Sequence, residues 1–152
     1  MTAEEKLIEL GLKLPESPPA VGNYAPAVEH SGLLFVSGHG PYRDGAYVFC
    51  GKVDSTISIE EARHAAKLTI VNALGSVRAV LGTLDRVDRV VKLLGMVNSD
   101  PAFDMQPRVI DAASDFLVEI FGDRGRHARS AVGLGALPMG IAVEIEMVLG
   151  LK

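Results

Sequence analysis

His127-Ala-Arg-Ser-Ala-Val-Gly-Leu-Gly-Ala-Leu-Pro-Met-Gly-Ile-Ala-Val-Glu-Ile-Glu146 is the stretch whose reading decides the fold. It reads as two strands joined by a turn that holds Gly135, Pro138 and Gly140. Arg129 lies on the first strand and Glu144 on the second, and a loop centred between Ala136 and Leu137 sets them opposite each other across a hairpin. Cross-strand partners share a face and lie within side-chain reach. A guanidinium among small and apolar residues is costly on a sheet unless a carboxylate meets it. That carboxylate is either Glu144, giving a plain cross-strand ion pair, or one that arrives with a ligand. In the second case Arg129 anchors a small acid and Glu144 handles a proton or a water.

Upstream, Asp104 to Phe121 has helical spacing. Met105, Val109, Ala113, Phe116, Leu117 and Ile120 form one apolar face, with Asp104 as the expected cap, Pro107 in the first turn and Gly122 as the stop. Val87 to Val97 is rich in Val and Leu and reads as a strand. Ser58-Ile-Glu-Glu61 is a capping box opening a long helix on Ala62, Ala66, Ile70, Ala73, Val77 and Val80, closed by Gly82. Ala25 to His30 and Leu33 to Ser37 flank Ser31-Gly32, a two-residue hairpin turn, and a third strand is expected over Ala46 to Phe49 after Arg43-Asp44-Gly45. Thr2-Ala-Glu-Glu5 is another capping box, with Gly11 able to stop its short helix. Leu14 to Pro19 is an extended leader.

The order β-β-β-α-β-α-β-β predicts an α+β fold, one mixed sheet with two helices on one face. Leu33-Leu-Phe-Val36 and Val90-Val-Lys-Leu-Leu94 carry apolar side chains on both faces of their strands. Two helices cover one face only, so the other calls for another subunit and the chain is expected to form an obligate oligomer.

The 152 residues fit one domain, 1–152, with no composition shift to mark a linker. Hydrophobic residues make up 48% and charged ones 22%, with mean hydropathy +0.25. No apolar run approaches the roughly 18 residues that cross a bilayer, and the start lacks a basic, apolar secretion signal. A soluble, cytoplasmic protein with no membrane partner is expected. Cys50 is the single cysteine and reads as a small buried hydrophobe in a reducing compartment. Net charge is −4 with pI near 5.5 and no basic cluster, which speaks against nucleic acid. His30, His39, His64 and His127 fall on separate elements without ligand spacing, so no metal is expected. Gly38-His-Gly40 is too short for a phosphate loop, and Glu60 and Glu61 suit a helix N-terminus.

The residues resemble the RidA/YjgF family, also called the L-PSP endoribonuclease family, over nearly the whole chain beyond the leader. The resemblance rests on Gly22-Asn-Tyr-Ala-Pro-Ala-Val28, Leu34-Phe-Val-Ser-Gly38 and Val90-Val-Lys92. Most specific is Ala128-Arg-Ser130 through Leu137-Pro138 to Val143-Glu-Ile-Glu146. It implies a chorismate-mutase-like fold, a homotrimer with sheets inside and helices outside, and three clefts between subunits. It further implies hydrolysis of reactive 2-imino or 2-enamino acids to 2-keto acids and ammonia without a cofactor. Carried over by motif, Arg129 binds the substrate carboxylate and Glu144 positions the attacking water and helps protonate the leaving amine. Tyr24 walls the cleft, and Ser37 and Gly38 supply polar contacts. The chain departs from the pattern at Ala131, where the deaminase branch often has cysteine. Ser114 stands near where a ligand-contacting asparagine is expected. The helix to Phe121 is longer by about two turns, and a leader, 1–21, precedes the motifs. These departures border the cleft and bear on substrate more than on fold. A non-catalytic trimer binding small carboxylates is the alternative, with ribonuclease activity disfavoured by the acidic charge.

Overall fold

The computed structural model describes residues 1–16 and 20–152, so Ser17, Pro18 and Pro19 of the leader lie outside the described residues. Both capping boxes form. Thr2 caps α1 (Ala3–Glu9) and Ser58 caps α2 (Ile59–Leu81); each accepts from the N3 amide while the N3 glutamate returns the bond to the cap amide. Gly82 ends α2 at φ +83°, a conformation open to glycine without penalty.

β1 (Ala27–His30) and β2 (Leu33–His39) form the expected hairpin, with Ser31 and Gly32 both at positive φ as a tight primed turn requires. β3 (Tyr42–Arg43) and β4 (Ala46–Tyr47) form a separate two-stranded ribbon around Asp44-Gly45. The expected third strand therefore stops at Tyr47, because Phe49 adopts φ +54°, and it does not join the main sheet. β5 (Val87–Asn98), α3 (Gln106–Phe121), β6 (Ala128–Leu134) and β7 (Val143–Leu151) complete the chain.

The main sheet runs β1-β2-β7-β5-β6 and is mixed: β5 and β6 are parallel, the other pairs antiparallel. This corrects the C-terminal hairpin. β6 and β7 are consecutive in sequence but do not pair; β5 lies between them. The α3 crossover returns the chain parallel to β5, and the segment from Gly135 to Ala142 then carries it over β5 to the far side. Asp104 is not the α3 cap either. Met105 holds that position without a side-chain bond, and Pro107 in the first turn needs no N–H partner. Cys50 is exposed rather than buried.

α2 and α3 share one face of the sheet, burying Ala66, Ile70, Ala73, Val109, Ala113 and Leu117 against Leu34, Val36, Leu93, Val97, Ile145 and Leu149. Truncating one of these buried leucines to alanine costs about 2–5 kcal/mol. α1 joins the same core through Ala3 and Leu7, and its Glu4 accepts from the Leu84 amide at 2.9 Å and pairs with Arg78 at 3.2 Å. Among the described residues no helix packs on the opposite face. Val28 (53% exposed) and Phe35 (47%) stand there in register with Val148, beside Leu94.

Candidate functional site: two half-sites on opposite faces

Glu144 pairs in register with Met96 on β5, while its neighbours Val143 and Ile145 are buried under the helices. Alternation along the strand therefore aims Glu144 at the helix-free face. There it lies on Gly38, where a Cβ would stand 2.6 Å from Glu144 Oε2. The β2–β7 register slips between Val36 and His39, a bulge that opens the strand at Ser37 and Gly38. Partial burial pushes the Glu144 carboxyl above its ordinary value of 4.5, and the nearby Glu146 carboxylate adds to the shift.

The bulge is pinned from behind. His39 turns into the core, with Nδ1 2.6 Å from the Ser37 carbonyl and Nε2 2.8 Å from Ser76 Oγ. A carbonyl only accepts, so Nδ1 carries the proton and Nε2 accepts from the Ser76 hydroxyl. Burial lowers the His39 pKa below 6.5, against the opposing effect of the Ser37 carbonyl. Asn72 Nδ2 donates to the carbonyls of Gly40 and Tyr42, at 2.9 Å each. Ser37 Oγ donates to the Ala25 carbonyl at 2.7 Å. A cavity of about 470 Å³ opens over this end, lined by Tyr24, Ser37, Gly38 and Glu144 and also by Tyr42, Tyr47 and Met139.

Arg129 sits elsewhere. It pairs with the buried Leu93 and points to the helix side of the edge strand β6. Nη1 donates to Asp111 Oδ1 at 2.8 Å and to Ser114 Oγ at 3.2 Å, both on α3. Ser114 Oγ lies 3.1 Å from His127 Nε2, and His127 Nδ1 lies 2.7 Å from the Gly125 carbonyl. The carbonyl again fixes the tautomer, so the Ser114 hydroxyl donates to His127 and accepts from Arg129. Burial, more than the Arg129 charge, lowers the His127 pKa. The Asp111 side chain is 50% exposed and that of Arg129 25%, so the pair is partly solvated. Both recorded bonds leave from Nη1; among the described residues none is recorded at Nε or Nη2. Ala131, two residues on, faces the same way and packs against the core.

The structure thus unites Tyr24, Ser37, Gly38 and Glu144 at one place, and Ser114, Arg129 and Ala131 at another. It does not bring the two groups together, and Arg129 and Glu144 are not cross-strand partners. The sequence reading missed Asp111 and His127 around the arginine, and Tyr42, Tyr47 and Met139 around the carboxylate. For His39 a signal existed: glycines on both sides of a histidine at a strand end mark backbone in close contact with something else. Among the described residues no three His, Cys, Asp or Glu side chains converge as a metal site would need, and no helix is long and apolar enough to cross a membrane.

Comparison with known proteins gives a consistent result. Residues 4–147 match the family model described as "YjgF/chorismate mutase-like, putative endoribonuclease". Protein TCP17 of Trypanosoma cruzi is 40% identical over 147 residues, covering 96% of this chain and 92% of that one. Atu1372 of Agrobacterium tumefaciens superposes with TM-score 0.91 at 39% identity, over 99% of this chain and 92% of that one. A "putative endoribonuclease" structure from Shewanella oneidensis gives TM-score 0.95 at 31% identity, over 99% and 100%. With its motifs, its mixed sheet and these matches in agreement, the chain belongs to the YjgF/chorismate mutase-like family.

Proposed function

We propose that the protein hydrolyses 2-imino and 2-enamino acids to 2-keto acids and ammonia without a cofactor, in clefts completed between protomers of a cytoplasmic homotrimer. The carrying observation is Glu144, a partly desolvated carboxylate laid on the bare backbone of Gly38 and facing a cavity. A carboxyl raised toward neutrality is a better base than an ordinary surface glutamate. Arg129, at the sheet edge with its bonds to Asp111 and Ser114 both made by Nη1, suits a carboxylate brought by the substrate. The apolar, helix-free face of the sheet favours assembly, because a patch of that kind on a monomer is unusual.

In this reading Arg129 of one protomer holds the substrate carboxylate and Glu144 of its neighbour orients water against the imine carbon. Water adds to C2 of the protonated imine and gives a proton to Glu144, leaving a neutral carbinolamine. Glu144 returns that proton to the nitrogen, the C–N bond breaks, and the hydroxyl proton passes to Glu144 as the carbonyl forms, to leave with ammonia as ammonium. An enamine first becomes the imine by protonation at C3. Orientation and a proton route supply the help, since an imine carbon is already electrophilic. Ser37 and Tyr24 bound the substrate, with Ser114 and Ala131 beside the arginine.

The test is ammonia release from freshly generated 2-iminopropanoate. A rate above buffer that falls about 10- to 100-fold in Arg129→Ala, the effect of losing a charge-assisted hydrogen bond, supports the reading. No rate, or an undiminished rate in the variant, rejects it. The Asp111 hold on Arg129 favours one alternative, a non-catalytic trimer that binds small carboxylates; saturable pyruvate binding without turnover identifies it. Ribonuclease activity fits poorly with a net charge of −4.

A further inference from the structure

The cavity that a single protomer forms over Glu144, before a neighbour closes the cleft, has room for more than the smallest substrate. Six non-hydrogen atoms, as in 2-iminopropanoate, displace roughly 100 Å³, about three or four waters. The cavity measures about 470 Å³. Besides Glu144 and Ser37, its lining includes three tyrosine rings and the Met139 thioether among aliphatic side chains. Tyr42 and Tyr47 pack edge to face, centroids 5.1 Å apart at 71°. Tyr24, Tyr42, Tyr47 and Glu144 line the same cavity, and the Tyr47 hydroxyl is raised in pKa by burial first and then by the other three.

Two backbone features hold this wall in place. Gly40 leaves room for it: a Cβ there would stand 2.8 Å from Ile141 Cδ1 and 3.1 Å from Tyr47 Cε1. Met139 adopts φ +55°, where a non-glycine residue is strained, and the residue stays 60% exposed while bordering the cavity. A polar end at Glu144 and Ser37 thus continues into an aromatic and thioether end. Rings stack edge to face on rings at centroid separations of about 4.5–7 Å, and thioethers contact ring edges at about 5 Å.

We infer that the cleft selects 2-imino and 2-keto acids bearing an aromatic or similarly bulky apolar side chain, with Tyr42, Tyr47 and Met139 as the specificity-determining residues. This rests on the imine-hydrolase reading and extends it to a substrate class.

Imines generated in place by an amino-acid oxidase from phenylalanine and from alanine test the inference, with calorimetric binding of phenylpyruvate and pyruvate as a second readout. The expected kcat/KM is at least about tenfold higher for the phenyl-bearing imine. Met139→Ala and Tyr42→Ala should each reduce that ratio severalfold, and Tyr42→Phe should preserve it. Turnover of the three-carbon imine with none of the phenyl-bearing one, or a ratio unmoved by both alanine variants, overturns the inference and spares the hydrolase reading. Turnover of neither, with phenylpyruvate binding that Tyr42→Ala weakens, overturns the hydrolase reading and keeps the ligand class. Neither turnover nor binding overturns both.

Discussion

Arg129 and Glu144 project from opposite faces of one sheet, on the two strands that flank β5, in register with Leu93 and Met96 respectively. No side-chain rotation joins them within a chain. A reaction that uses both therefore needs two chains, and that requirement can be measured.

Arg129→Ala and Glu144→Gln should each lose most of their activity alone, yet recover part of it when subunits are mixed. Random assembly in equal amounts leaves about one quarter of inter-subunit clefts with both groups intact. Ammonia release after co-refolding checks this. Recovery of nothing means that the two residues do not serve one shared cleft.

Gly38→Ala should separate function from stability. The three atoms nearest the added methyl all belong to the Glu144 side chain, from Oε2 at 2.6 Å to Cγ at 3.3 Å, and its carboxylate end can swing away. Stability should fall by less than about 1 kcal/mol, while misplacing the carboxylate lowers turnover by about 100-fold. Gly95→Ala is the contrast. Its methyl meets three atoms of the buried Ile110 at 2.6–2.8 Å, and overpacking of that kind costs about 1–3 kcal/mol. Urea titration of both variants checks the difference.

Glu144→Gln should stabilise the fold at neutral pH. The folded-state pKa of Glu144 is raised, so its favourable contribution is complete below the ordinary 4.5 and is lost as pH rises through the folded value. At pH 7 the wild type holds a partly desolvated charge that glutamine lacks. The gain is at most about 1 kcal/mol after screening by solvent, and it should vanish near pH 4. Tm measured at both pH values decides; a variant less stable at pH 7 than the wild type contradicts it. Wild-type turnover should rise with pH through the same titration.

His39 should make stability fall on acidification. Its pKa is lowered by burial, so its contribution is complete above 6.5 and is lost as pH falls through the lowered folded value. His127 shifts in the same direction. His39→Gln should lose about 1–2 kcal/mol at pH 8 through its bonds to Ser37 and Ser76. Its Tm should then change less than the wild type's between pH 7 and 5. An equal slope removes His39 as a cause.

If the proposed assembly forms through the helix-free face, Phe35→Glu should dissociate it and leave the protomer folded. Phe35 stands on the helix-free face next to Val28 and Val148, where a charge is tolerated in water but not against another apolar face. Sedimentation and circular dichroism together test this; an unchanged mass rejects that face as the contact.

Local features were legible because they are set by neighbours in sequence. Both capping boxes, the Ser31-Gly32 turn and the Gly82 stop fell where the sequence put them. Pairing of distant strands was less accessible. Gly135, Pro138 and Gly140 have hairpin-turn composition, and nothing local in them reveals that β5 lies between the strands they connect. Once β5 intervenes, Arg129 and Glu144 fall on opposite faces. The grouping of Tyr24, Ser37, Gly38 and Glu144 was recoverable from motifs, whereas Asp111 and Met139 carry no sequence signal of their role. Asp111 looks like any exposed helix acid, and the significance of Met139 lies in a backbone angle.

Splitting a reaction centre across the two surfaces of a sheet gives it a dependence that a self-contained pocket lacks. Under the proposed arrangement, specific activity becomes a function of how much protein is present. Dilution below the dissociation constant of the assembly silences every cleft while each chain keeps its shape. Abundance then acts as the control, with no inhibitor or modification required.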